Sequence, residues 1–160
     1  MGASRAATAS TRYILPVATG VQIVFDCADP ERLSRFWAAA LHYRLQDPPP
    51  GFDNWPAWLK AQGIPESEWN SASAVVDPDG RGPRLYFQRV PEGKVVKNRV
   101  HLDLNVGGPR DTPLDERRRR VDPEVERLVQ LGARKSRAMA ERGEYWVNMF
   151  DPEGNEFDIQ

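Results

Sequence analysis

Apolar and polar residues alternate strictly along residues 99–106, which read Arg-Val-His-Leu-Asp-Leu-Asn-Val. A period of two predicts a β-strand with one apolar and one polar face. The polar face carries His101, Asp103 and Asn105, whose lone pairs can bind a metal ion or a polar ligand, whereas a solvated strand face more often carries Thr, Lys or Glu. The stretch therefore predicts a strand that holds a candidate site.

Residues 21–26 show the same alternation near the start of the chain, with Gln22 on the polar face. Asp29 follows as a predicted helix N-cap and Pro30 as the first helical residue. Apolar residues then recur at helical spacing, which predicts an amphipathic helix that ends near His42.

The rest of the pattern predicts short elements separated by turn sequences rich in Pro and Gly. A second helix is predicted to open at Asp122, after a polar loop at residues 107–120. The other predicted elements are a short strand at 43–46, a short helix at 56–61, and strands at 71–76, 84–90, 134–140, 144–150 and 156–160.

The chain contains one unit twice. Residues 75–80 (Val-Val-Asp-Pro-Asp-Gly) match residues 149–154 (Met-Phe-Asp-Pro-Glu-Gly), and each half orders its elements as strand, helix, then three strands. This order predicts an α+β fold in which one helix covers one face of a curled, largely antiparallel sheet.

The repeat also predicts which polar residues meet. If the apolar faces pack under the helices, Gln22 and His101 occupy equivalent positions, and so do Gln88 and Asp158. Four polar side chains, two from each half, would then point into one shared cavity.

Composition limits the classes of protein to which the chain can belong. The 160 residues fit one domain, and 22 basic against 23 acidic residues leave a net charge of −1, so no global field favours nucleic acid or an anionic membrane. The basic run at residues 117–120 is interpreted as a solvated surface. Cys27 is the single cysteine, which excludes an intrachain disulfide and suits a cytoplasmic protein.

The sequence predicts no membrane-spanning segment. No apolar run reaches the roughly 20 residues that span a bilayer. Residues 1–12 lack the apolar stretch of a signal peptide, and residues 1–18 are interpreted as a disordered tail.

Taken in their order along the chain, these motifs resemble those of the vicinal oxygen chelate superfamily, and within it those of the glyoxalase-like domains of the glyoxalase, bleomycin-resistance and dioxygenase type. The resemblance rests on Asp29-Pro30, Phe36-Trp37, the strand at 99–104 and the closing sequence at 151–158. It implies two tandem βαβββ modules that form a cupped sheet with a shared concave site. Module one spans about 19–91 with a Trp-rich insertion at 52–70, and module two spans about 97–160.

The resemblance implies a metal site at the first and fourth strands of each module. When the family's metal ligands are carried over by position, they fall on Gln22, Gln88, His101 and Asp158. Of these, the resemblance implies Asp158 and His101 as the catalytic pair. One imidazole, one carboxylate and two amides suit Mn²⁺, Fe²⁺ or Ni²⁺ better than Zn²⁺, and a site without metal stays open.

Further side chains are candidates for contact with a ligand. Asp103 is expected to orient His101 or to line the pocket, and the insertion with Trp55 and Trp58 either packs down on the domain or roofs a pocket. Trp146 is a ligand-binding candidate, although a position in the core is the commoner role for it and for Trp37.

Glu156 is the alternative to Asp158 on the last strand. Its side chain is out of phase with Asp158 and is expected to face solvent, and it replaces Asp158 as the candidate if the strand register differs by one residue.

Two functions from different classes remain open. One is a glyoxalase-like lyase or isomerase, assisted by a divalent metal ion. The other is a non-catalytic protein that sequesters an aromatic or drug-like ligand, as bleomycin-resistance proteins do. Both imply a small-molecule partner, and the resemblance adds a possible homodimer.

Overall fold

The structure, a computed structural model, describes residues 18–160, so that the predicted tail falls outside it except for its last residue. Within these residues twelve elements follow one another, including a 3₁₀ turn at Glu66–Glu68. Module one contains β1 (Gln22–Cys27), α1 (Pro30–Leu41), β2 (Arg44–Leu45), α2 (Trp55–Ala61), β3 (Ala72–Val76) and β4 (Arg84–Arg89). Module two contains β5 (Asp103–Leu104), α3 (Leu114–Gln130), β6 (Arg134–Glu141), β7 (Glu144–Phe150) and β8 (Glu156–Ile159).

The two modules have the same topology. Each forms a four-stranded sheet, in the orders β1-β4-β3-β2 and β5-β8-β7-β6. The first and last strands of each module pair in parallel, and the other neighbours pair antiparallel. The predicted α+β fold of two βαβββ modules is confirmed.

The candidate strand at 99–106 is regular only in its second half. Asp158 N donates to Leu102 O at 2.9 Å and Val106 N donates to Gln160 O at 2.6 Å, so the chain pairs with β8 from residue 102 onward. Val100 lies before this ladder and is 79% exposed, although the alternation predicted it on the apolar face. Before residue 102 the chain is an irregular loop, and its backbone pairs with the sheet only from the point where it comes within hydrogen-bond distance of β8.

The second helix begins eight residues before the predicted start. Helix α3 begins at Leu114 and contains Pro123 in its interior, so Asp122-Pro123 does not open it. The proline removes one backbone hydrogen bond. Acidic residues in the first turn favour the earlier start, because Asp115 and Glu116 pair with Arg119 and Arg120 one turn later.

The basic run is not a uniformly solvated surface. Arg117 is 8% exposed, and its guanidinium donates to the carbonyl oxygens of Pro109, Arg110 and Thr112. These hydrogen bonds hold the loop before α3 against the helix. Arg117 lies one turn before buried Val121 on the same face of α3, a position usual for an apolar residue, and its aliphatic stem lies on that face.

The two modules share one apolar core. Helix α1 contributes Phe36 and Trp37, whose rings lie 6.0 Å and 5.3 Å from the ring of Phe157 in β8. The largest fully buried side chains come from both modules: Leu33, Trp37, Val75, Leu85, Phe87, Val121, Val125, Leu128, Val147, Met149, Phe157 and Ile159.

Polar contacts at the 151–154 turn join the modules. Asp151 accepts a hydrogen bond from Trp37 Nε1 at 3.2 Å. Glu153 accepts hydrogen bonds from the backbone amides of Ala28 and Asp29 at 2.7 and 2.8 Å, directly before α1. The turn that closes module two therefore also positions the first helix of module one.

The first part of the Trp-rich insertion lies at the end of β2, whereas Glu68 and Asn70 at its other end contact Arg89 and Asp29. Trp55 Nε1 donates to Gln46 O at 2.7 Å, and the Trp55 and Trp58 rings meet edge to face with centroids 5.5 Å apart. Trp69 Nε1 donates within the insertion, to Ile64 O. These contacts attach the segment to the end of β2.

Within residues 18–160, no helix combines the length and the apolar character that crossing a membrane requires.

Candidate functional site

The candidate site lies on one face of the module-two sheet. Tyr145, Val147 and Met149 of β7 are buried on the face that α3 covers. The alternate residues point to the opposite face, here called the open face. Strand pairing, continued by one or two residues where a strand ends, arranges the open face in three rows. From β6 to β5 these are Arg134, Phe150, Glu156 and His101; Arg137, Asn148, Asp158 and Asp103; and Met139, Trp146, Gln160 and Asn105.

Three of these side chains form a cluster of possible metal ligands. His101 Nε2 lies 3.3 Å from Asp103 Oδ1 and 3.7 Å from Asp158 Oδ2. The three donor atoms lie within 4.8 Å of one another. His101 and Asp103 share a face because they are two residues apart on an extended segment, and Asp158 is the register partner of Asp103 on β8.

Neighbouring amides orient both carboxylates of the cluster. Asn148 Nδ2 donates to Asp158 Oδ1 at 2.6 Å, and Gln160 Nε2 donates to Asp103 Oδ2 at 3.2 Å. The other oxygen of each carboxylate faces His101. Sequence reasoning missed Asn148 and Gln160, although Asn148 is a polar residue at a non-core position of β7 and could have been noticed for that reason.

The two predicted glutamine ligands are bound within module one. Gln22 Oε1 accepts a hydrogen bond from Arg84 at 2.5 Å, and Gln88 Nε2 donates to Asp26 Oδ1 at 2.7 Å. The structure therefore brings together His101 and Asp158 of the predicted four ligands, with Asp103 as a third member.

Strand register shows which residues of the two modules are equivalent. Val75 and Met149 each lie two residues before the aspartate of the repeated turn. Val75 pairs with Leu85, and Met149 pairs with Phe157. Leu85 and Phe157 are therefore equivalent.

The predicted equivalence of Gln88 and Asp158 is wrong by two residues. Counting on from Leu85 and Phe157, Tyr86 is the equivalent of Asp158, and Gln88 is the equivalent of Gln160. The cause is the loop into β4, which is two residues longer than the loop into β8. A tyrosine thus stands in module one where module two has the carboxylate.

A cavity of about 230 Å³ lies between the modules beside the cluster. Val24, Phe25 and Trp37 contribute to its wall from module one, and His101 and Glu156 contribute from module two. His101 thus borders both the cavity and the open face. A larger and more open groove of about 460 Å³ lies elsewhere, between Arg32 of α1 and Leu131, and it includes no member of the cluster. We place the site at the smaller cavity because His101, which belongs to the cluster, lines it.

Glu156 does not face solvent as predicted. Its side chain is 20% exposed and accepts hydrogen bonds from the Asn98 backbone amide and from Lys94 Nζ, both at 3.0 Å. Burial alone would raise the pKa of Glu156, but these two donors outweigh it and lower the pKa from 4.5 to about 2. Glu156 therefore fastens the loop between the modules to the start of β8.

We expect the contribution of Glu156 to stability to depend on pH. Because the pKa of Glu156 is lowered in the folded state, its stabilising effect is fully present above pH 4.5 and is lost as pH falls toward 2. The difference in melting temperature between the wild type and Glu156→Gln should be largest near pH 7 and shrink below pH 4.5. Thermal unfolding followed by circular dichroism checks this, with exposed Glu144→Gln as the control. A difference that stays constant from pH 7 to 3 would contradict it.

The tryptophans occupy different surroundings. Trp37 is 1% exposed and belongs to the core, whereas Trp146 is half-buried on the open face, so its expected core position is wrong. Trp55 and Trp58 lie in the insertion at the β2 end, and neither lines the cavity beside His101.

Two βαβββ modules that meet beside a cluster of possible metal ligands define a protein of the vicinal oxygen chelate type. The profile of the glyoxalase-like domain matches residues 22–160, and the chain belongs to that family. Among curated proteins, none matches the sequence significantly.

Solved structures of the same fold are distant in sequence. A glyoxalase/bleomycin resistance protein/dioxygenase family enzyme from Burkholderia phytofirmans is 15% identical with a TM-score of 0.55, over 86% of this chain and 94% of that one. A mutant of the fosfomycin resistance protein FosX from Listeria monocytogenes, complexed with Mn(II) and 1S,2S-dihydroxypropylphosphonic acid, is 12% identical with a TM-score of 0.57, over 90% of each chain. A glyoxalase-related enzyme from Fulvimarina pelagi is 19% identical with a TM-score of 0.53, over 89% of this chain and 87% of that one. These similarities concern the fold.

Proposed function

We propose that this protein is a small-molecule enzyme of the glyoxalase-like type, a lyase or isomerase assisted by a divalent metal ion. The observation that supports this proposal most directly is the convergence of His101, Asp103 and Asp158, whose donor atoms lie within 4.8 Å of one another beside a cavity.

The donor set fits a hard divalent ion. One imidazole nitrogen and two carboxylates suit Mn²⁺, Fe²⁺ or Ni²⁺, whereas structural Zn²⁺ sites favour cysteine and histidine. The complex of the FosX mutant with Mn(II) is consistent with this choice. No lysine or arginine of the described residues forms an ion pair with Asp103 or Asp158, so their negative charge is available to a cation.

The residues divide the chemistry between them. His101 and Asp103 would hold the ion, which supplies Lewis-acid polarisation of a bound substrate oxygen. Asp158 would complete the site, and its oxygen on the His101 side is also the group placed to accept a proton from the substrate. The hydrogen bond from Asn148 to the other oxygen, Oδ1, holds the carboxylate in this orientation.

Metal content tests the proposal. Protein purified without a histidine tag should contain near-stoichiometric metal by elemental analysis, or should melt at a higher temperature with added Mn²⁺, Fe²⁺ or Ni²⁺ because ligands of the folded state stabilise it. Sodium chloride at the same ionic strength is the control, because Na⁺ does not replace a divalent ion at such a site. Absence of metal together with unchanged melting in all the metals would refute a metal-assisted enzyme.

A non-catalytic binding protein is the second candidate. Trp146 favours it, because this half-buried ring on the open face offers a surface to an aromatic ligand. Trp55 and Trp58 no longer support it at this cavity, since they lie at the β2 end. Retention of an unmodified ligand by protein that holds no metal would favour this function.

A further inference from the structure

A straight row of side chains crosses the module-two sheet through the cluster. Arg137 of β6 pairs with Asn148 of β7, Asn148 pairs with Asp158 of β8, and Asp158 pairs with Asp103 of β5. Neighbouring strands lie about 4.8 Å apart, so the Arg137 backbone is about 10 Å from that of Asp158. A small molecule that contacts His101 or Asp158 can therefore also reach the guanidinium of Arg137.

An irregularity in β6 directs Arg137 onto this face. Lys135 pairs with Met149, which points into the core, and residues 135 and 137 would share a face in a regular strand. The register shifts between Lys135 and Arg137, so that Arg137 pairs with Asn148 instead and joins the open face. Such bulges redirect side chains and are common next to active sites.

The charge of Arg137 is available to a ligand. Among residues 18–160, no carboxylate lies within ion-pair distance of Arg137. Arg134, the other arginine of β6 on this face, already lies over the ring of Phe150, with Cζ 3.9 Å from the centroid. Arg137 is therefore the cation of β6 that is placed to bind an anion.

Trp146 and Met139 form the next row along the same strands. Both side chains are half-buried on the open face, and within the described part of the chain the Trp146 ring stacks on no other aromatic ring. They offer an apolar surface alongside the row that runs from Arg137 to the cluster.

We propose that Arg137 binds the anionic group of the substrate. The ligand class is a small carboxylate, phosphate or phosphonate whose apolar body lies against Trp146 and whose other end reaches His101, Asp103 and Asp158. This assignment rests on the proposed function, because without a cation the two aspartates repel an anion. The guanidinium offers paired donors that match the oxygens of such a group.

Calorimetric titration of the Mn²⁺-loaded full-length protein with phenylphosphonate tests the assignment. Arg137→Gln should weaken binding at least about tenfold, since a charge-assisted hydrogen bond is lost, and Arg137→Lys should restore part of it. Lys135→Gln removes the same charge from the same strand on the other face and should leave binding unchanged. Benzyl alcohol, which lacks the anion, should bind the wild type and Arg137→Gln equally weakly.

Mn²⁺ binding, measured separately by electron paramagnetic resonance, distinguishes this inference from the proposed function. Unchanged Mn²⁺ affinity in Arg137→Gln together with weakened phenylphosphonate binding supports the assignment. If the wild type binds Mn²⁺ but not phenylphosphonate, or if Arg137→Gln and Lys135→Gln bind it alike, Arg137 is not the anion site. If the wild type binds no Mn²⁺, the proposed function fails. The phenylphosphonate titration is then repeated on the metal-free protein. Equal binding of phenylphosphonate by the wild type and Arg137→Gln would overturn the assignment of Arg137 as the anion site as well.

Discussion

Replacing Asp151 by alanine is expected to lower the free energy of unfolding by about 3–5 kcal/mol, because it leaves several buried donors without an acceptor. Asp151 is 3% exposed. Its carboxylate accepts hydrogen bonds from Trp37 Nε1, from the Glu153 backbone amide, and from the backbone and side-chain amides of Asn155 at 2.8–3.2 Å. Burial raises the pKa of Asp151, while these donors favour its charged form.

The expected loss of stability arises at the joint between the modules, that is, at the contacts of the 151–154 turn with module one. Without the Asp151 carboxylate, the turn loses the hydrogen bonds that this side chain accepts, and Glu153 is no longer held with its carboxylate toward the amides that precede α1. Trp37, in the middle of the shared core, keeps a buried N–H without a partner. A defect at this turn is therefore transmitted to both modules.

Urea unfolding followed by tryptophan fluorescence measures the effect, and module one provides a matched control. Asp77 is the first residue of the equivalent turn and accepts from the backbone amides of Asp79, Arg81 and Gly82, but it contacts no buried side-chain donor. Asp77→Ala should destabilise the protein much less. Equal losses in the two variants would show that the turn, and not the joint, accounts for the effect.

Replacing His101 or Asp158 by alanine is expected to weaken Mn²⁺ binding by about 100-fold or more, because each removes a ligand from a set of three. Asn148→Ala should weaken binding by about tenfold, because it frees Asp158 without removing its oxygens. Gln22→Ala and Gln88→Ala should leave Mn²⁺ affinity unchanged, since their amides are engaged by Arg84 and Asp26 in module one.

Titration of each variant with Mn²⁺, followed by electron paramagnetic resonance, measures these affinities, and circular dichroism confirms that each variant is folded. The glutamine variants are the controls, because they test the ligand set that the repeat and the family resemblance imply. A loss in Gln22→Ala as large as that in His101→Ala would place the metal between the modules. No loss in His101→Ala would remove the metal from the cluster.

The fold was predictable because its signals are local and repeated. Alternation marked both first strands, the Asp29-Pro30 start marked α1, and the repeated Asp-Pro-x-Gly turns revealed the duplication. The start of α3 was wrong because Pro123 is tolerated inside that helix, where the i,i+4 ion pairs of its first turns and the burial of Val121 offset the missing hydrogen bond. Local propensity is a weak guide where tertiary burial opposes it.

The candidate site was predictable in part. His101, Asp103 and Asp158 were named from the strand pattern and the repeat, because side chains of one strand face alternate regularly. Asn148 was missed because cross-strand neighbours depend on register, which a single sequence does not contain. The error that matched Gln88, in place of Tyr86, to Asp158 has the same cause. Two extra residues in the loop before β4 shift every later position of the repeat by two, which leaves each side chain on the same face of its strand.

The sequence by itself therefore determined the elements, the duplicated architecture and the face on which His101, Asp103 and Asp158 lie, because these follow from periodicity and turn chemistry within short segments. Tertiary structure decided the rest: which amides orient the carboxylates, that Arg117 is buried, that the bulge turns Arg137 toward the cluster, and that Asp151 and Glu153 join the two modules. These features depend on register and on contacts between residues far apart in the chain, and such contacts exist only once the sheets and the shared core have formed.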